Sequence, residues 1–179
     1  TKIVGASAFR EAGALAQRRS IVLLKNGETP VEATLPLRDR PRIYIEQIAP
    51  EVAAGYGEVV AAIDDADLAI IRLNAPFEPR DGNFLERLFH AGALDYKGDE
   101  LSRILKIIQR VPTIVCIYLD RPAVIPEIAA QSAALLADFG ASDEALLDIV
   151  FGRFAPTGKL PFELPSSMAA VLSQRSDVP

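Results

Sequence analysis

The chain has 179 residues, half of them hydrophobic, with 24 acidic against 19 basic side chains and a formal net charge of −5. That size and apolar content suit one domain with a substantial core, and the acidic balance, with no Lys/Arg-rich stretch, argues against a nucleic-acid-binding surface. A single Cys and a single His exclude an internal disulfide and a zinc site built from those ligands; no apolar run is long enough for a membrane span, and the first residues lack a basic-then-apolar leader pattern.

In chain order, Ser7 is placed to cap a helix over 7–19. Ala8, Ala12, Leu15 and Ala16 give it a narrow inner face, and Glu11 sits early, where the helix dipole favours it. SIVLLKN (20–26) is a short apolar strand, 27–30 a turn cluster and Leu35-Pro36-Leu37 an extended piece. RIYIEQI (42–48) alternates apolar and polar positions, which predicts a strand with one wetter face. Short helices are expected over 51–54 and 58–63, and LAIIRL (68–73) is a buried strand. The next stretch, FEPRDGNFLERLFHAGALDY (77–96), has no clean period. A loop of that length in a compact domain is usually functional, and this one leaves the carboxyl end of a strand.

A helix over 99–110 follows, with Leu101, Ile104, Leu105 and Ile108 at i, i+3, i+4 and i+7. The run that organises the chain is TIVCIYLD (113–120), preceded by Pro112 and stopped by Asp120-Arg121-Pro122. It is apolar on both alternating sets of positions, as in a strand buried on both faces. Pro126 can open a short helix over 127–132, and AALLAD (133–138) is another buried strand. Ser142 caps the next helix, with Asp143 and Glu144 in its first turn and Leu146, Leu147 and Val150 inward; Gly152 closes it. KLPFEL (159–164) carries an internal Pro161, which places it at a sheet edge.

Strands alternating with helices predict an α/β three-layer sandwich of the flavodoxin-like type. It would have about six mostly parallel strands, helices on both faces through right-handed crossovers, and one edge strand free to be antiparallel. Ligands of such sheets gather beyond the strand carboxyl ends, which points to the segments after residues 73 and 119. A cofactor-binding module of this fold would need a phosphate loop leading into a helix. Asn26-Gly27-Glu28-Thr29 leads into none and no GxGxxG occurs, so neither cofactor nor metal is expected.

Three stretches resemble one family. SIVLLKNG followed by LPL resembles the opening of the second domain of glycoside hydrolase family three, the β-glucosidase and β-xylosidase type, and VFGRFAPTGKLPFELP resembles its closing G-x-x-x-P-x-G-x-LP segment. Between them, 67–73 and TIVCIYLDRPAV look like its two core strands. The resemblance implies an α/β sandwich packed on a preceding barrel that carries a nucleophilic Asp; no part of these residues looks like the barrel. It further implies a linker and first helix over 1–19, the sandwich over 20–165 and a C-terminal tail over 166–179. The implied partner is a β-linked oligosaccharide or glycoside, held together with the barrel, with no nucleic acid and no membrane. The chain alone would be inactive. In many members the second domain lends the general acid/base, a Glu on a loop over the barrel's mouth; the alternative is a scaffold that only braces the barrel.

Glu78 lies in the loop that should overhang the sugar, and Glu86 is the alternative; where the family carries an acidic-Gly-Asp-Arg run, this chain reads FEPRDGNFLERLFHAG. A retaining mechanism needs two carboxyls about 5 Å apart, one of them an acid whose pKa its surroundings raise. The plain readings are a surface pair of Glu78 with Arg80, and for Glu86 the polar face of a short helix with Leu85, Leu88 and Phe89. Arg80, Asp81, His90 and Asp120 are candidate sugar contacts. Against that stand a charged turn at Asp81-Gly82, a backbone carbonyl holding His90, and an ion pair or turn at Asp120. Phe77, Phe84 and Phe89 are placed to stack on a sugar, anchor the loop or meet the barrel.

Overall fold

The structure, a computed structural model, describes residues 3–27, 34–85, 87 and 89–175. The apolar runs become strands: β1 (Val22–Asn26), β2 (Arg42–Glu46), β3 (Glu58–Val59), β4 (Leu68–Asn74), β5 (Thr113–Tyr118) and β6 (Ala134–Asp138). They form one sheet in the order β1-β6-β5-β4-β2-β3, parallel throughout except where β1 runs antiparallel to β6. β5 is interior, between β4 and β6, and its first five residues are buried.

Alternation along the strands sorts the core into two layers. Leu68, Ile70, Ile114, Cys116, Ala134 and Leu136 face α2 (Pro50–Ala53) and α5 (Asp143–Val150). Ile71, Leu73, Val115, Ile117, Leu135 and Ala137 face α3 (Gly98–Arg110) and α4 (Pro126–Gln131). α3 buries Ile104, Ile107 and Ile108, in keeping with its sequence period. This is the expected three-layer α/β sandwich with one antiparallel edge strand.

Several local expectations are corrected. The antiparallel edge strand is 22–26; the other segment expected at a sheet edge is 159–164. The latter forms no strand: Pro161 has no N–H to donate to a ladder, and Leu160, Phe162 and Leu164 pack instead on the α3–α4 side. Residues 58–63 are not helical; Glu58 and Val59 pair with Arg42 and Ile43, and a 3-10 turn follows at Ile63–Asp65. α1 (Ser7–Ser20) buries no residue, and Ala8, Ala12 and Ala16 are exposed. It docks on α5 through polar groups. Gln17 Oε1 accepts from Ser142 N–H (2.9 Å), and Arg18 pairs with Asp148 (2.7 Å). Ala6, not Ser7, precedes the first helical residue; the Ser7 hydroxyl donates to Glu11 (2.6 Å). The tail after 166 holds a short helix, α6 (Met168–Ser173), capped by Ser167. Residues 28–30 of the expected turn cluster lie outside the described residues.

Two polar hubs hold the α5 side of the sheet. In the first, Arg72 of β4 donates to Asp143 Oδ1 (2.7 Å), Asp138 Oδ2 (2.8 Å) and the Ala141 carbonyl (2.9 Å). Asp138, fully buried, also accepts the Cys116 thiol (3.1 Å) and the Gly140 and Ala141 N–H groups. Asp143 accepts the Ala49 N–H with its second oxygen (2.9 Å). Burial first, and then the Asp138 carboxylate, push the Cys116 thiol up, so it stays a proton donor. In the second hub, Asp148 receives Arg18, the Tyr56 hydroxyl (2.7 Å) and Arg153 (3.3 Å).

Replacing Arg72 with Leu strands the Asp138 carboxylate in the core. Breaking a buried pair from one side costs on the order of 3 kcal/mol, so Arg72→Leu should lower unfolding stability by about that amount in a urea titration, where an exposed-pair variant such as Arg42→Leu should lose far less.

The Tyr56 hydroxyl is pushed from 10.0 up to about 12 by burial and by the Asp148 carboxylate. A raised pKa means that the folded state keeps the proton longer, so this contribution is complete below pH 10 and is lost as pH rises through about 12. The stability gap between the parent and Tyr56→Phe should therefore be constant from neutral pH to about 10 and shrink above it, measured by unfolding at stepped pH.

Candidate functional site

The parallel strands end together, and the longest connection leaves the end of β4. Its two roots are fixed at that end: Ala75 N–H donates to the Tyr118 carbonyl (2.9 Å), and the Tyr96 hydroxyl donates to the Asn74 carbonyl. Burial pushes the Tyr96 hydroxyl up, which keeps it protonated as that donor. Between the roots the loop makes two arms. The outgoing arm carries Phe77 and Glu78, the returning arm His90, Ala91 and Gly92. One antiparallel bridge joins them, Glu78 N–H to the Ala91 carbonyl (2.8 Å).

The returning arm is fastened to the segment after β5. His90 Nδ1 meets Asp120 Oδ2, Arg121 Nη2 donates to the Gly92 carbonyl (2.8 Å), and Val124 N–H donates to the Leu94 carbonyl (2.8 Å). The imidazole lies flat on the Phe77 ring, with centroids 3.8 Å apart and planes 5° from parallel. With Nδ1 taken up by Asp120, the His90 nitrogen left for a ligand is Nε2.

Glu78 is exposed, and among the described residues no hydrogen bond or ion pair engages its carboxylate. The expected surface pair with Arg80 does not form. Its side chain folds over Gly92 instead: a β-carbon at that glycine would lie 2.6 Å from Glu78 Cβ, and the backbone there has φ +81°. Arg80 and Asp81 are exposed, likewise without such partners among the described residues. Glu86 lies outside the described residues. His90 is held by the Asp120 carboxylate rather than by a backbone carbonyl. At the loop tip Phe84, Leu85 and Phe89 are 76%, 64% and 67% exposed, and Phe77 43%. Of the candidates, then, the fold brings Glu78, His90 and Asp120 to one place. It also enlists Gly92 and Arg121, which have no motif of their own; the signal for Arg121 was only its position next to Asp120 at a strand end.

Chemically, the loop offers an unengaged carboxylate on its outgoing arm and an aromatic-backed imidazole on its returning arm, groups that can hydrogen-bond hydroxyls. Among the described residues no group of three or more His, Cys, Asp or Glu side chains could hold a metal ion, and no helix is long and apolar enough to cross a membrane.

The profile of the glycosyl hydrolase family 3 C-terminal domain matches residues 44–178. The chain belongs to this family. It is 48% identical over 178 residues to beta-glucosidase C of Emericella nidulans, a match that covers 99% of this chain and 28% of that protein. It is 37% identical over 181 residues to a periplasmic beta-glucosidase/beta-xylosidase of Dickeya chrysanthemi, covering 99% of this chain and 27% of the other. The fold matches that of a beta-glucosidase from Listeria innocua, solved in complex with glucose, with a TM-score of 0.71 at 18% identity over 94% of this chain and 28% of that one. This family 3 C-terminal domain thus spans just over a quarter of the length of the relatives it matches.

His90 is the only histidine, so its ring protons are a unique NMR reporter of the loop. An alanine at Gly92 must push Glu78 aside and adopt a left-handed backbone. Gly92→Ala should therefore move the His90 resonances away from their ring-stacked positions. Gly98→Ala, also at positive φ but in open space, should leave them in place.

Proposed function

We propose that this domain works as the second domain of a two-domain retaining β-glycosidase, with residues 1–19 linking it to a barrel, 20–165 forming the sandwich and 166–179 a tail. In this reading the loop after β4 overhangs the barrel's sugar site, and Glu78 is the general acid/base. The observation that carries it is the free Glu78 carboxylate, on an arm fastened at the sheet's carboxyl end and rimmed by exposed aromatic rings. The barrel supplies the nucleophilic carboxylate. Docking brings the second carboxylate across the glycosidic bond from Glu78, the pair that a retaining mechanism needs. Glu78 then protonates the leaving oxygen in the first step and, now ionised, activates water in the second. Arg80, Asp81 and His90 contribute hydrogen bonds to sugar hydroxyls, and Asp120 acts on His90. The substrate class is a β-linked oligosaccharide or glycoside. The chain alone lacks a nucleophile partner and is inactive.

A bracing role is compatible with the same surface. Phe84, Leu85 and Phe89 at the loop tip, and Ile3, Val4 and Phe9 near α1, are exposed apolar side chains of a kind that docking domains bury. If bracing is the whole role, no single carboxylate of the loop matters to the chemistry.

Glu78→Ala beside Glu86→Ala in the full-length protein decides between these. Glu78→Ala should cut turnover of unactivated disaccharides by roughly 10²- to 10⁴-fold, while an activated aryl glucoside still forms the glycosyl-enzyme and azide rescues its breakdown as a glycosyl azide. Wild-type turnover of disaccharides by Glu78→Ala removes Glu78 from the acid role; a loss confined to Glu86→Ala transfers that role to Glu86.

A further inference from the structure

The Glu78 carboxylate makes no bond to the described residues, so its position depends on the main chain that carries it. That main chain is tied at one point, the hydrogen bond from Glu78 N–H to the Ala91 carbonyl. Ala91 in turn sits between two side-chain locks, one at each neighbour. On one side the His90 imidazole is held by Asp120; on the other the Gly92 carbonyl is held by Arg121 (2.8 Å). Both locks come from consecutive residues of the segment after β5, not from the loop itself. Their spacing fits the returning arm: adjacent side chains grip the positions flanking the residue that pairs with Glu78.

We infer that Asp120 and Arg121 are positioning residues for Glu78, acting through His90 and Gly92 rather than on the sugar. This rests on the proposed acid/base role of Glu78 and assigns the control of its placement to the segment after β5. Three features support it. The Asp120 carboxylate is already engaged by His90 and is only 25% exposed, so its contact is within the protein. The His90 ring is clamped on its flat face by Phe77, which fixes the arm's rotation as well as its height. Arg121 Nη1 is buried without a hydrogen-bond partner among the described residues, a desolvation cost that one lock on a surface loop does not offset and that a requirement for placement explains. A planar guanidinium fixes direction as well as distance, which a lysine cannot do. Catalytic groups tolerate little misplacement: a shift of about 1 Å can cost about 10²-fold.

The test is a double-mutant comparison in the full-length protein. Asp120→Asn, Arg121→Gln and Arg121→Lys are made alone and on the Glu78→Ala background, with kcat/KM measured for an unactivated disaccharide and for an activated aryl glucoside, and folding checked by thermal melting. Asp120→Asn and Arg121→Gln should each lower disaccharide turnover roughly 10- to 100-fold, with Arg121→Lys between Gln and the parent. Glycosyl-enzyme formation from the aryl glucoside should change little. On the Glu78→Ala background each further loss should be less than about 2-fold, because the residue being positioned is gone. Equal losses on both backgrounds, or no loss in either single variant, would overturn the assignment. Should Arg121→Gln fail to fold, the isosteric Asp120→Asn decides. The Glu78→Ala parent, scored by itself, reports on the acid/base reading: if it keeps wild-type disaccharide turnover, that reading fails, whereas a damaged Glu78→Ala with undamaged Asp120→Asn and Arg121→Gln refutes positioning alone.

Discussion

Arg72 sits where five segments converge at the carboxyl edge of the sheet. Its guanidinium reaches Asp143 at the start of α5 and Asp138 at the end of β6; Asp138 also takes the Cys116 thiol from β5, and Asp143 the Ala49 N–H that leads into α2. A cation in the middle of a buried strand costs several kcal/mol of desolvation unless every donor and its counter-charges are satisfied. Here two carboxylates and a carbonyl answer it, and the carboxylates' remaining oxygen sites accept backbone N–H groups. The arrangement therefore fixes the relative height of β2, β4, β5 and β6 at the end from which the loops emerge. Apolar packing would hold the same strands together with less say over their register, since dispersion and burial are non-directional.

The consequence reaches the loop. Registration of β4 on β5 places Asn74 beside Tyr118, so the segment leaving β4 and the segment leaving β5 start side by side. From there short-range bonds suffice: Ala75 to Tyr118, Gly92 to Arg121, His90 to Asp120, Leu94 to Val124. The long connection between β4 and α3 thereby gains a fixed base and an exposed rim. In this family 3 domain the sheet thus presents one anchored edge, and the aromatic side chains Phe77, Phe84 and Phe89 of that edge are exposed in the chain by itself.

The long apolar strands, the amphipathic α3 and the Ser142 cap were legible in the sequence because each depends on local period or local capping chemistry. What escaped depends on contacts between distant segments. Arg72 reads as a blemish in LAIIRL until Asp138 and Asp143 are seen beside it. Asp148 looks like one polar position of α5, yet Arg18, Tyr56 and Arg153 all converge on it. Ala8, Ala12 and Ala16 offered a helical stripe too thin to bury, and α1 docks by Gln17 and Arg18 instead. KLPFEL looked like an edge strand because of its internal Pro161, but β1 occupies the edge beside β6. At the candidate site, loop position and residue type pointed to Glu78, Glu86, Arg80, Asp81, His90 and Asp120 as candidates, without saying which of them meet. The stacking of His90 on Phe77 and the role of Gly92 needed the fold, because nothing in the sequence says which residues of an aperiodic loop face each other.

In the proposed two-domain enzyme, the Glu78 carboxyl reaches a glycosidic oxygen above another domain's nucleophile. A crystal structure of the full-length protein with an uncleaved β-linked disaccharide analogue tests it directly. A Glu78 oxygen should lie within hydrogen-bonding reach of the bridging oxygen, roughly 3 Å, with the His90–Asp120 and Gly92–Arg121 contacts intact beneath it. A Glu78 side chain turned to solvent, with a carboxyl from elsewhere on the bridging oxygen, would contradict it.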